Sequence, residues 1–339
     1  MMKSAKQVRN ARAAEWLIEG PVPIGDLVKI VVEYANGLEG ECVLDIKSQV
    51  GSVYSIAALS GNLLAMAGES KNICVFDSDG VPRGTLDGHT GRVRVLCALS
   101  DGRLASGSYD KTIRIWNTDV AMCLITLVGH SDSVEALAIL PEGQLASGSH
   151  DKTIRIWDVD VRCSNEVGGV CIRVLTGHTE SVGALAVMRG TLASGSNDTA
   201  IRLWDVATGI CLRTLEGRNT GVNSLVVLPG GRLASGSYDG TVSVWDVDGG
   251  AEAPLLKLVS HNDSIRSLAV LPGGQLVSGS TNGMIRVWDV DGDGICSLEF
   301  KRPGSYMVSL AVLPGVAEMP ASFQLVSGSV GKQECVLWD

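Results

Sequence analysis

The chain of 339 residues holds 28 Lys and Arg against 37 Asp and Glu, and its formal net charge of −9 argues against a general binder of nucleic acids or anionic membranes. Hydrophobic residues make up 45% and charged residues 19%, and no apolar run approaches the roughly 18–20 residues of a membrane span, which predicts a soluble folded protein. Nine cysteines without a CxxC pair argue against a disulfide framework or a zinc ribbon and predict a cytoplasmic or nuclear protein.

The N-terminal segment, residues 1–40, differs in kind from the rest of the chain. It begins with basic residues and no acid up to residue 14, and two prolines then interrupt any first helix. Helical spacing follows, which predicts one short amphipathic helix with the apolar residues Ile24, Leu27, Val28, Val31 and Tyr34. The run from Pro23 to Val31 weakly resembles the opening of an F-box, a motif that recruits a ubiquitin-ligase core. We favour a helix that packs on the folded domain; ligase recruitment and organelle targeting are the alternatives.

A repeated segment dominates the sequence from residue 41 onward. Its clearest copy, Leu104–Asn117, returns at 145–158, 192–205, 233–246 and 276–289, and its tryptophan recurs at positions 116, 157, 204, 245, 288 and 338. A degenerate first copy ends at Phe76-Asp77, which brings the number of copies to seven. A period of about 40–45 residues is typical of propellers and solenoids.

Each copy has the pattern of four short β-strands separated by turns. In the second copy these strands are predicted at Val93–Leu99, Leu104–Ser108, Thr112–Trp116 and Cys123–Leu127. Such a small sheet has two apolar faces that it cannot bury alone, whereas neighbouring sheets stacked around an axis cover both. The repeat therefore predicts an all-β ring of stacked sheets.

The Gly-His pair before the repeats and the Trp-Asp pair at their end resemble those of WD-repeat β-propellers. The resemblance covers residues 41–339 and implies a seven-bladed β-propeller, preceded by the short N-terminal helical extension of residues 1–40. Because the sequence stops at Trp338-Asp339, the end of a third strand, the last blade needs a fourth strand from elsewhere. Residues 42–46 align with Cys123–Leu127, so we expect them to pair beside residues 334–338 and close the ring.

The resemblance also assigns the polar residues that recur in the repeats. In WD-repeat blades a His, a Ser, an Asp and a Trp form a hydrogen-bonded tetrad, because a buried Trp N–H and a buried His ring need partners. Three complete sets match this pattern: His89, Ser106, Asp110 and Trp116; His130, Ser147, Asp151 and Trp157; His178, Ser194, Asp198 and Trp204. Two later copies depart from it, with Arg218 in place of His and Asn282 in place of Asp. A Ser, a His and an Asp that recur together also resemble a hydrolase triad. Because each of the three sets occurs with a Trp of the same blade, we favour a structural role over a catalytic one.

A second set of positions is free of that structural role, and in family structures it lines one face around the central channel. The residues that we expect to form a protein-binding face there are Tyr54, Glu69, Arg92, Arg94, Tyr109, Glu135, His150, Asn197, Asn223, Tyr238, Arg266 and Tyr306. Tyr and Arg often dominate protein interfaces because each combines a large contact area with a polar end. The alternative is a set of ordinary solvated loop residues. Arg92 and Arg94 would attract an acidic or phosphorylated peptide unless Glu135 neutralises them.

Two further residue types recur once in many of the repeats. An arginine lies two residues before the tryptophan at positions 114, 155, 202 and 286, and we favour a solvated strand position over a basic stripe for nucleic acid. A cysteine recurs at positions 42, 123, 171, 211 and 296, which predicts a small buried strand position rather than a metal or redox site.

The combined prediction is a non-catalytic protein-interaction scaffold that binds peptides or loops of partner proteins on the narrow face of a propeller. The alternative is a substrate receptor of a ubiquitin ligase, recruited through the N-terminal helix. No phosphate-binding glycine loop or metal-spaced cluster is present in the sequence, so we expect no enzymatic activity, no metal and no cofactor. We further expect a monomeric ring within a larger complex, without membrane binding and without a nucleic-acid partner.

Overall fold

The computed structural model describes residues 28–29, 45–46, 50–77, 80–159, 169–216, 220–249, 253–259, 261–292, 294–301, 306–314, 323–330 and 335–338. Almost all of the regular structure in these ranges is β-sheet, and the only helical elements there are three 3-10 turns, at Ser60–Asn62, Pro141–Gly143 and Pro229–Gly231. None of the described helices is long and apolar enough to cross a membrane.

Six four-stranded antiparallel sheets, here called blades 1 to 6, form most of the domain. Two strands precede them, β1 (Val28–Lys29) and β2 (Asp45–Ile46). Blade 1 holds β3 (Val53–Leu59), β4 (Leu63–Gly68), β5 (Ile73–Asp77) and β6 (Pro82–Leu86), and blade 2 holds β7 (Val93–Ala98), β8 (Leu104–Ser108), β9 (Thr112–Asn117) and β10 (Met122–Val128). Blade 3 holds β11 (Val134–Ile139), β12 (Leu145–Ser149), β13 (Ile154–Asp158) and β14 (Val170–Leu175), and blade 4 holds β15 (Val182–Met188), β16 (Thr191–Ser196), β17 (Ile201–Asp205) and β18 (Cys211–Leu215).

The two remaining blades and a smaller sheet complete the ring. Blade 5 holds β19 (Val222–Val227), β20 (Leu233–Ser237), β21 (Thr241–Trp245) and β22 (Leu256–Val259), and blade 6 holds β23 (Ile265–Val270), β24 (Leu276–Ser280), β25 (Met284–Trp288) and β26 (Cys296–Lys301). The C-terminal sheet has three strands, β27 (Tyr306–Pro314), β28 (Phe323–Val330) and β29 (Cys335–Trp338). The first strand of each sheet is innermost and lies beside the first strand of the next, and β27 lies beside β3.

The predicted seven-bladed propeller with an N-terminal helix is wrong. The structure has six four-stranded blades, and the last repeat forms a three-stranded sheet without an outer strand among the described residues. Within the predicted helix, Val28–Lys29 is a β-strand that pairs antiparallel with Asp45–Ile46. Those are also the described residues of the predicted closing strand, and their pairing partner is β1 rather than β29. The rest of residues 1–40, residues 42–44 and residue 334 lie outside the described residues, so the boundary at residue 41 stays a prediction.

The hydrophobic core lies between neighbouring blades rather than inside any one of them. Each blade tryptophan packs against the preceding blade; Trp116 of blade 2, for example, shares a cluster with Ile73 and Leu86 of blade 1. The tryptophans of blades 2 to 6 are at most 3% exposed. Because each apolar face is covered only by its neighbour, the blades stabilise one another as stacked repeats do.

Hydrogen bonds also join the innermost strands of adjacent blades. Backbone N–H groups donate to serine hydroxyl oxygens of the preceding sheet. These bonds run from Leu96 to Ser55, from Leu268 to Ser224 and from Leu310 to Ser267, each at 3.0 Å. A second set of bonds lies on the opposite face of the ring, near the ends of the innermost strands. There arginine side chains donate to backbone carbonyls of the next blade, Arg103 to Val159 at 2.9 Å and Arg232 to Val290 at 2.8 Å. Polar contacts therefore join adjacent blades in addition to the apolar core between them.

Candidate functional site

The residues predicted as tetrads come together in blades 2, 3 and 4. In blade 2, His89 Nδ1 lies 2.8 Å from Asp110 Oδ2, His89 Nε2 lies 2.7 Å from Ser106 Oγ, and Trp116 Nε1 donates to Ser106 Oγ at 2.7 Å. The same contacts, at 2.7–2.8 Å, join His130, Ser147, Asp151 and Trp157 in blade 3 and His178, Ser194, Asp198 and Trp204 in blade 4. Every buried polar atom of these side chains thereby gains a partner, which is what a sheet interior requires.

The tetrads favour charged aspartates and leave no accessible nucleophile. Burial by itself would raise the pKa of Asp110, but hydrogen bonds from His89, Thr112 and the backbone outweigh it, and the pKa lies well below its ordinary value. The pKa of Asp151 is lowered in the same way, against its burial, by His130 and Thr153. Ser106 is fully buried and its oxygen receives the Trp116 N–H, so no substrate reaches it. The arrangement stabilises the blades and cannot act as a hydrolase triad.

Blade 6 holds an incomplete tetrad. His261 Nε2 lies 2.7 Å from Ser278 Oγ, and Trp288 Nε1 donates to the same oxygen at 2.8 Å. His261 Nδ1, however, is buried without a hydrogen-bond partner. Burial, together with the charge of Arg286, lowers the pKa of His261 to about 4. In blade 5 Trp245 Nε1 donates to Ser235 Oγ at 2.9 Å, while Arg218 lies outside the described residues.

A β-bulge in each innermost strand positions one ring of side chains. The register of the first strand shifts by one residue at the same place in all seven sheets, for example between Val93 and Val95. The residues skipped by the register, here called the bulge ring, are Tyr54, Arg94, Glu135, Gly183, Asn223, Arg266 and Val308. A bulge re-aims its side chain away from the ladder, and such bulges often lie next to functional sites.

A second ring of side chains is held by one recurring backbone hydrogen bond. The residue just before the turn position that holds the tetrad aspartate in blades 2 to 4 donates its N–H to the carbonyl of the residue just before the innermost strand, as Tyr109 does to Arg92 at 3.0 Å. The same bond places Glu69, His150, Asn197, Tyr238 and Thr281 at 2.9–3.2 Å from their acceptors. These turn residues therefore lie at the same face of the ring as the bulge residues, here called the cavity face.

A cavity of about 430 Å³ opens on this face. Its lining residues are Arg94, Tyr109, Asp132, Ser133, Glu135, His150, Ser181, Gly183, Asn197, Asn223, Tyr238 and Arg266. Eight of the twelve residues predicted for the protein-binding face are among them. Tyr54, Arg92 and Glu69 lie beside the cavity on blades 1 and 2, and the side chain of Tyr306 lies outside the described residues. Asp132, two residues after His130, also lines the cavity and was not among the predicted residues.

Charges on the blade 1 to blade 3 side of the cavity face are largely paired. Arg94 Nε donates to Glu135 Oε2 at 2.9 Å, and the Arg94 guanidinium lies over the Tyr54 ring at 5.9 Å. Arg92 donates to the Tyr54 hydroxyl at 3.5 Å. Partial burial and the nearby Glu69 carboxylate raise the pKa of Tyr54. Of the two alternatives for Arg94, neutralisation by Glu135 is the one that the structure shows.

On the other side of the cavity, blades 5 and 6 are joined by polar contacts. Asn223 Nδ2 donates to Ser264 Oγ and to the Ile265 carbonyl, both at 3.0 Å. The Arg266 guanidinium lies 5.4 Å from the centre of the Tyr238 ring. Tyr109 and Tyr238 are 42% and 40% exposed, and the other large apolar side chains found exposed in the described ranges lie on or beside the outer strands. Among the side chains that the structure describes, these two tyrosines form the exposed aromatic surface of the cavity face.

Two sequence interpretations need correction. The recurring arginines are half-buried rather than fully solvated. Nε of Arg114, Arg155 and Arg202 is buried without a hydrogen-bond partner, and the Arg114 guanidinium lies 6.0 Å from the centre of the Trp116 ring. The recurring cysteines are half-buried on outer strands, where the Sγ of Cys123, Cys171, Cys211 and Cys296 contacts the carbonyl two residues on at 3.1–3.5 Å. Within the described part of the chain, no three His, Cys, Asp or Glu side chains lie close enough to hold a metal ion.

Comparison with known proteins agrees with this architecture. Phospholipase A-2-activating protein of Xenopus laevis is 44% identical to this chain over 69 residues, a stretch that covers 19% of this chain and only 8% of that protein. A family model described as "WD domain, G-beta repeat" matches residues 80–117, 121–158, 169–205, 209–246 and 252–289. Each match runs from the outer strand of one blade to the third strand of the next, and together they cover more than half of the chain. The chain therefore belongs to the WD-repeat family.

Proposed function

We propose that this protein is a non-catalytic scaffold that binds a loop or peptide of a partner protein over the cavity face. WD-repeat propellers typically bind other proteins and are generally non-catalytic. The observation that carries the proposal is the convergence of eight residues, from blades 2 to 6, around one open cavity. None of these positions belongs to the tetrads or to the apolar clusters between blades. Arg94, Glu135 and Asn223 already bond within the ring, whereas Tyr109, Tyr238 and Arg266 present exposed or half-buried surface to a partner.

The chemistry of the cavity suits a protein segment better than a small apolar ligand. Small-molecule sites are lined mostly by apolar side chains, whereas this cavity is lined by Ser, Asn, Asp, Glu, Arg and His with two tyrosines. Tyr and Arg are the residue types that most often carry binding energy between proteins. An extended loop can place one side chain in the cavity and lay its backbone across Tyr109 and Tyr238.

The ubiquitin-ligase alternative has no comparable support. It rested on an N-terminal helix, and Val28–Lys29 within that segment is a strand. The name of the Xenopus relative refers to activation of phospholipase A2, but the match spans only a small part of that protein and supports no such activity for this chain.

Affinity capture from cell extract, with a control variant outside the cavity face, tests the proposal. The wild type is compared with the triple variant Tyr109→Ala, Tyr238→Ala, Arg94→Ala and with Leu212→Ser, which removes a side chain that is 56% exposed on an outer strand. We expect at least one protein, identified by mass spectrometry, to bind the wild type and Leu212→Ser and to be lost from the triple variant. A photo-crosslinking residue at position 150 should then join the same protein, and one at position 212 should not. Retention of every captured protein by the triple variant would contradict the proposal.

A further inference from the structure

The two arginines of the bulge ring differ in their charge partners. Arg94 donates to Glu135 at 2.9 Å, and the other oxygen of Glu135 accepts the Ser133 hydroxyl at 2.7 Å. The Arg94 and Glu135 side chains are 27% and 12% exposed, so this ion pair is partly shielded from solvent. Both charges are therefore already satisfied within the protein.

Arg266 has no such partner. Among the described residues no carboxylate lies within salt-bridge distance of its guanidinium, which instead lies beside the Tyr238 ring at 5.4 Å. In the bulge ring Arg94 is followed by Glu135, whereas Arg266 is followed by Val308, a residue type without a carboxylate. Arg266 lines the cavity and is half-buried, so its unused N–H donors face the space that a partner would occupy.

We infer that Arg266, with Tyr238 beside it, binds the carboxylate of an Asp or Glu side chain on the partner segment. This inference rests on the proposed function and names the chemistry of the partner. A guanidinium has a planar fork of donors that matches a carboxylate with two parallel hydrogen bonds. The cation–π contact with the Tyr238 ring restrains the guanidinium and so reduces the entropy lost on binding.

A singly charged carboxylate suits the site better than a phosphate. The same cavity contains the carboxylates of Asp132 and Glu135. Glu135 is balanced by Arg94, whereas the partner of Asp132 is His150 at 3.7 Å, which carries a charge only when protonated. A dianionic phosphate would meet one uncompensated cation and at least one uncompensated anion, and the repulsion would offset much of its gain.

Selection from a random peptide library displayed on phage tests this inference, with folded wild-type protein as the bait. We expect enrichment of Asp or Glu in the selected peptides and binding that weakens by about tenfold or more in Arg266→Gln. Arg189→Gln, which removes an exposed arginine on the opposite side of the ring, is the matched control. Replacing the enriched acid of a synthetic peptide by its amide should cause a similar loss with wild type and little further loss with Arg266→Gln. Charge reversal, Arg266→Glu with Lys in the peptide, should recover part of the affinity.

The outcomes separate this inference from the proposed function. If selected peptides bind wild type but not the triple variant Tyr109→Ala, Tyr238→Ala, Arg94→Ala, the cavity face binds peptides. If those peptides lack acidic residues, or bind Arg266→Gln as well as wild type, the inference is overturned while the proposed function stands. A synthetic peptide with phosphoserine in place of the acid that binds more tightly would also overturn the choice of carboxylate. Thermal melts of each variant establish that the ring remains folded.

Discussion

His261 and Asn282 occupy the positions of a His–Asp hydrogen bond, yet no such bond joins them. In blades 2, 3 and 4 the aspartate uses one oxygen for the histidine Nδ1 at 2.8 Å and the other for a backbone N–H in the turn. Asn282 keeps the second contact, because its Oδ1 accepts the Met284 N–H at 3.0 Å. The contact with the histidine is missing, and His261 Nδ1 is left buried without a hydrogen-bond partner.

Asn282→Asp should therefore stabilise the ring. The new carboxylate oxygen would accept the His261 Nδ1–H, and satisfying a buried polar group contributes about 1–3 kcal/mol to the free energy of unfolding. Chemical denaturation at neutral pH measures the change. Asn262→Asp is the matched control, since it adds the same charge at an exposed neighbouring residue without supplying the acceptor. Equal denaturation midpoints for the two variants would show that charge alone acts.

The stability of the wild type should fall as the pH drops from about 6.5 to about 4. The pKa of His261 is near 6.5 in the unfolded chain and about 4 in the folded protein, so the unfolded state binds the extra proton in this window. The contribution of neutral His261 to the free energy of unfolding is therefore fully present above about pH 6.5 and is lost as the pH falls to about 4. Asn282→Asp should flatten this dependence, because a paired carboxylate favours the charged histidine. Midpoints of urea unfolding across this range, compared for wild type and variant, measure the slope; parallel curves would exclude His261 as its source.

Loss of the shared serine oxygen should destabilise blade 2 strongly. Ser106→Ala removes the acceptor of the Trp116 N–H and the partner of His89 Nε2, both at 2.7 Å and both buried. Two unsatisfied buried groups cost about 2–6 kcal/mol together. Ser60→Ala, at an exposed turn residue, serves as the control and should change the free energy of unfolding by less than about 0.5 kcal/mol. The Trp116 indole proton, followed by NMR hydrogen exchange, should lose its protection in Ser106→Ala.

Much of the fold and site was predictable from the sequence because the repeats carry their own register. Five clear copies fix where each strand begins, and the offset from the Gly-His histidine locates the bulge position without any knowledge of the bulge. Side chains at one offset share one environment, so Arg94, Tyr109, Tyr238 and Arg266 could be assigned to one face. The sequence named Glu135 as a possible partner of Arg94 but could not decide whether the two pair, because their contact depends on the angle between blades.

Two of the failed predictions have separate physical reasons, one before the repeats and one within them. Residues 27–32 contain apolar residues at helical spacing, but valines and isoleucines fill the same run, and β-branched side chains favour the strand that pairs Val28 with Ile46. The recurring arginines were predicted to be solvated since alternation placed them on the polar side of a strand. The Gly-His glycine leaves room for the Arg114 guanidinium beside Trp116, where a Cβ on Gly88 would lie only 2.9 Å from Arg114 Nη1.

The turn before the third strand holds one residue with left-handed backbone in blade 4 and its equivalent in blade 5. Substitutions at these two residues should change the free energy of unfolding in opposite directions. Thr199 in blade 4 has φ 72°, and Gly240 in blade 5 has φ 79°. A β-branched residue in this region costs about 1–2 kcal/mol, whereas glycine adopts it freely. Thr199→Gly should therefore raise the free energy of unfolding by about 1 kcal/mol, even though it also frees the unfolded chain.

Gly240→Ala should act in the other direction. A Cβ at this residue would overlap the carbonyl oxygen of His261 and approach that of Asp263 to 2.8 Å, and these backbone atoms cannot move without shifting blade 6. Strain and overlap together should lower the free energy of unfolding by at least about 2 kcal/mol. Gly61→Ala is the matched control for the left-handed conformation alone, since it has φ 72° and open space around its Cβ. Urea unfolding of the three variants gives the comparison; equal losses in Gly240→Ala and Gly61→Ala would show that contact between blades 5 and 6 adds nothing to the backbone strain.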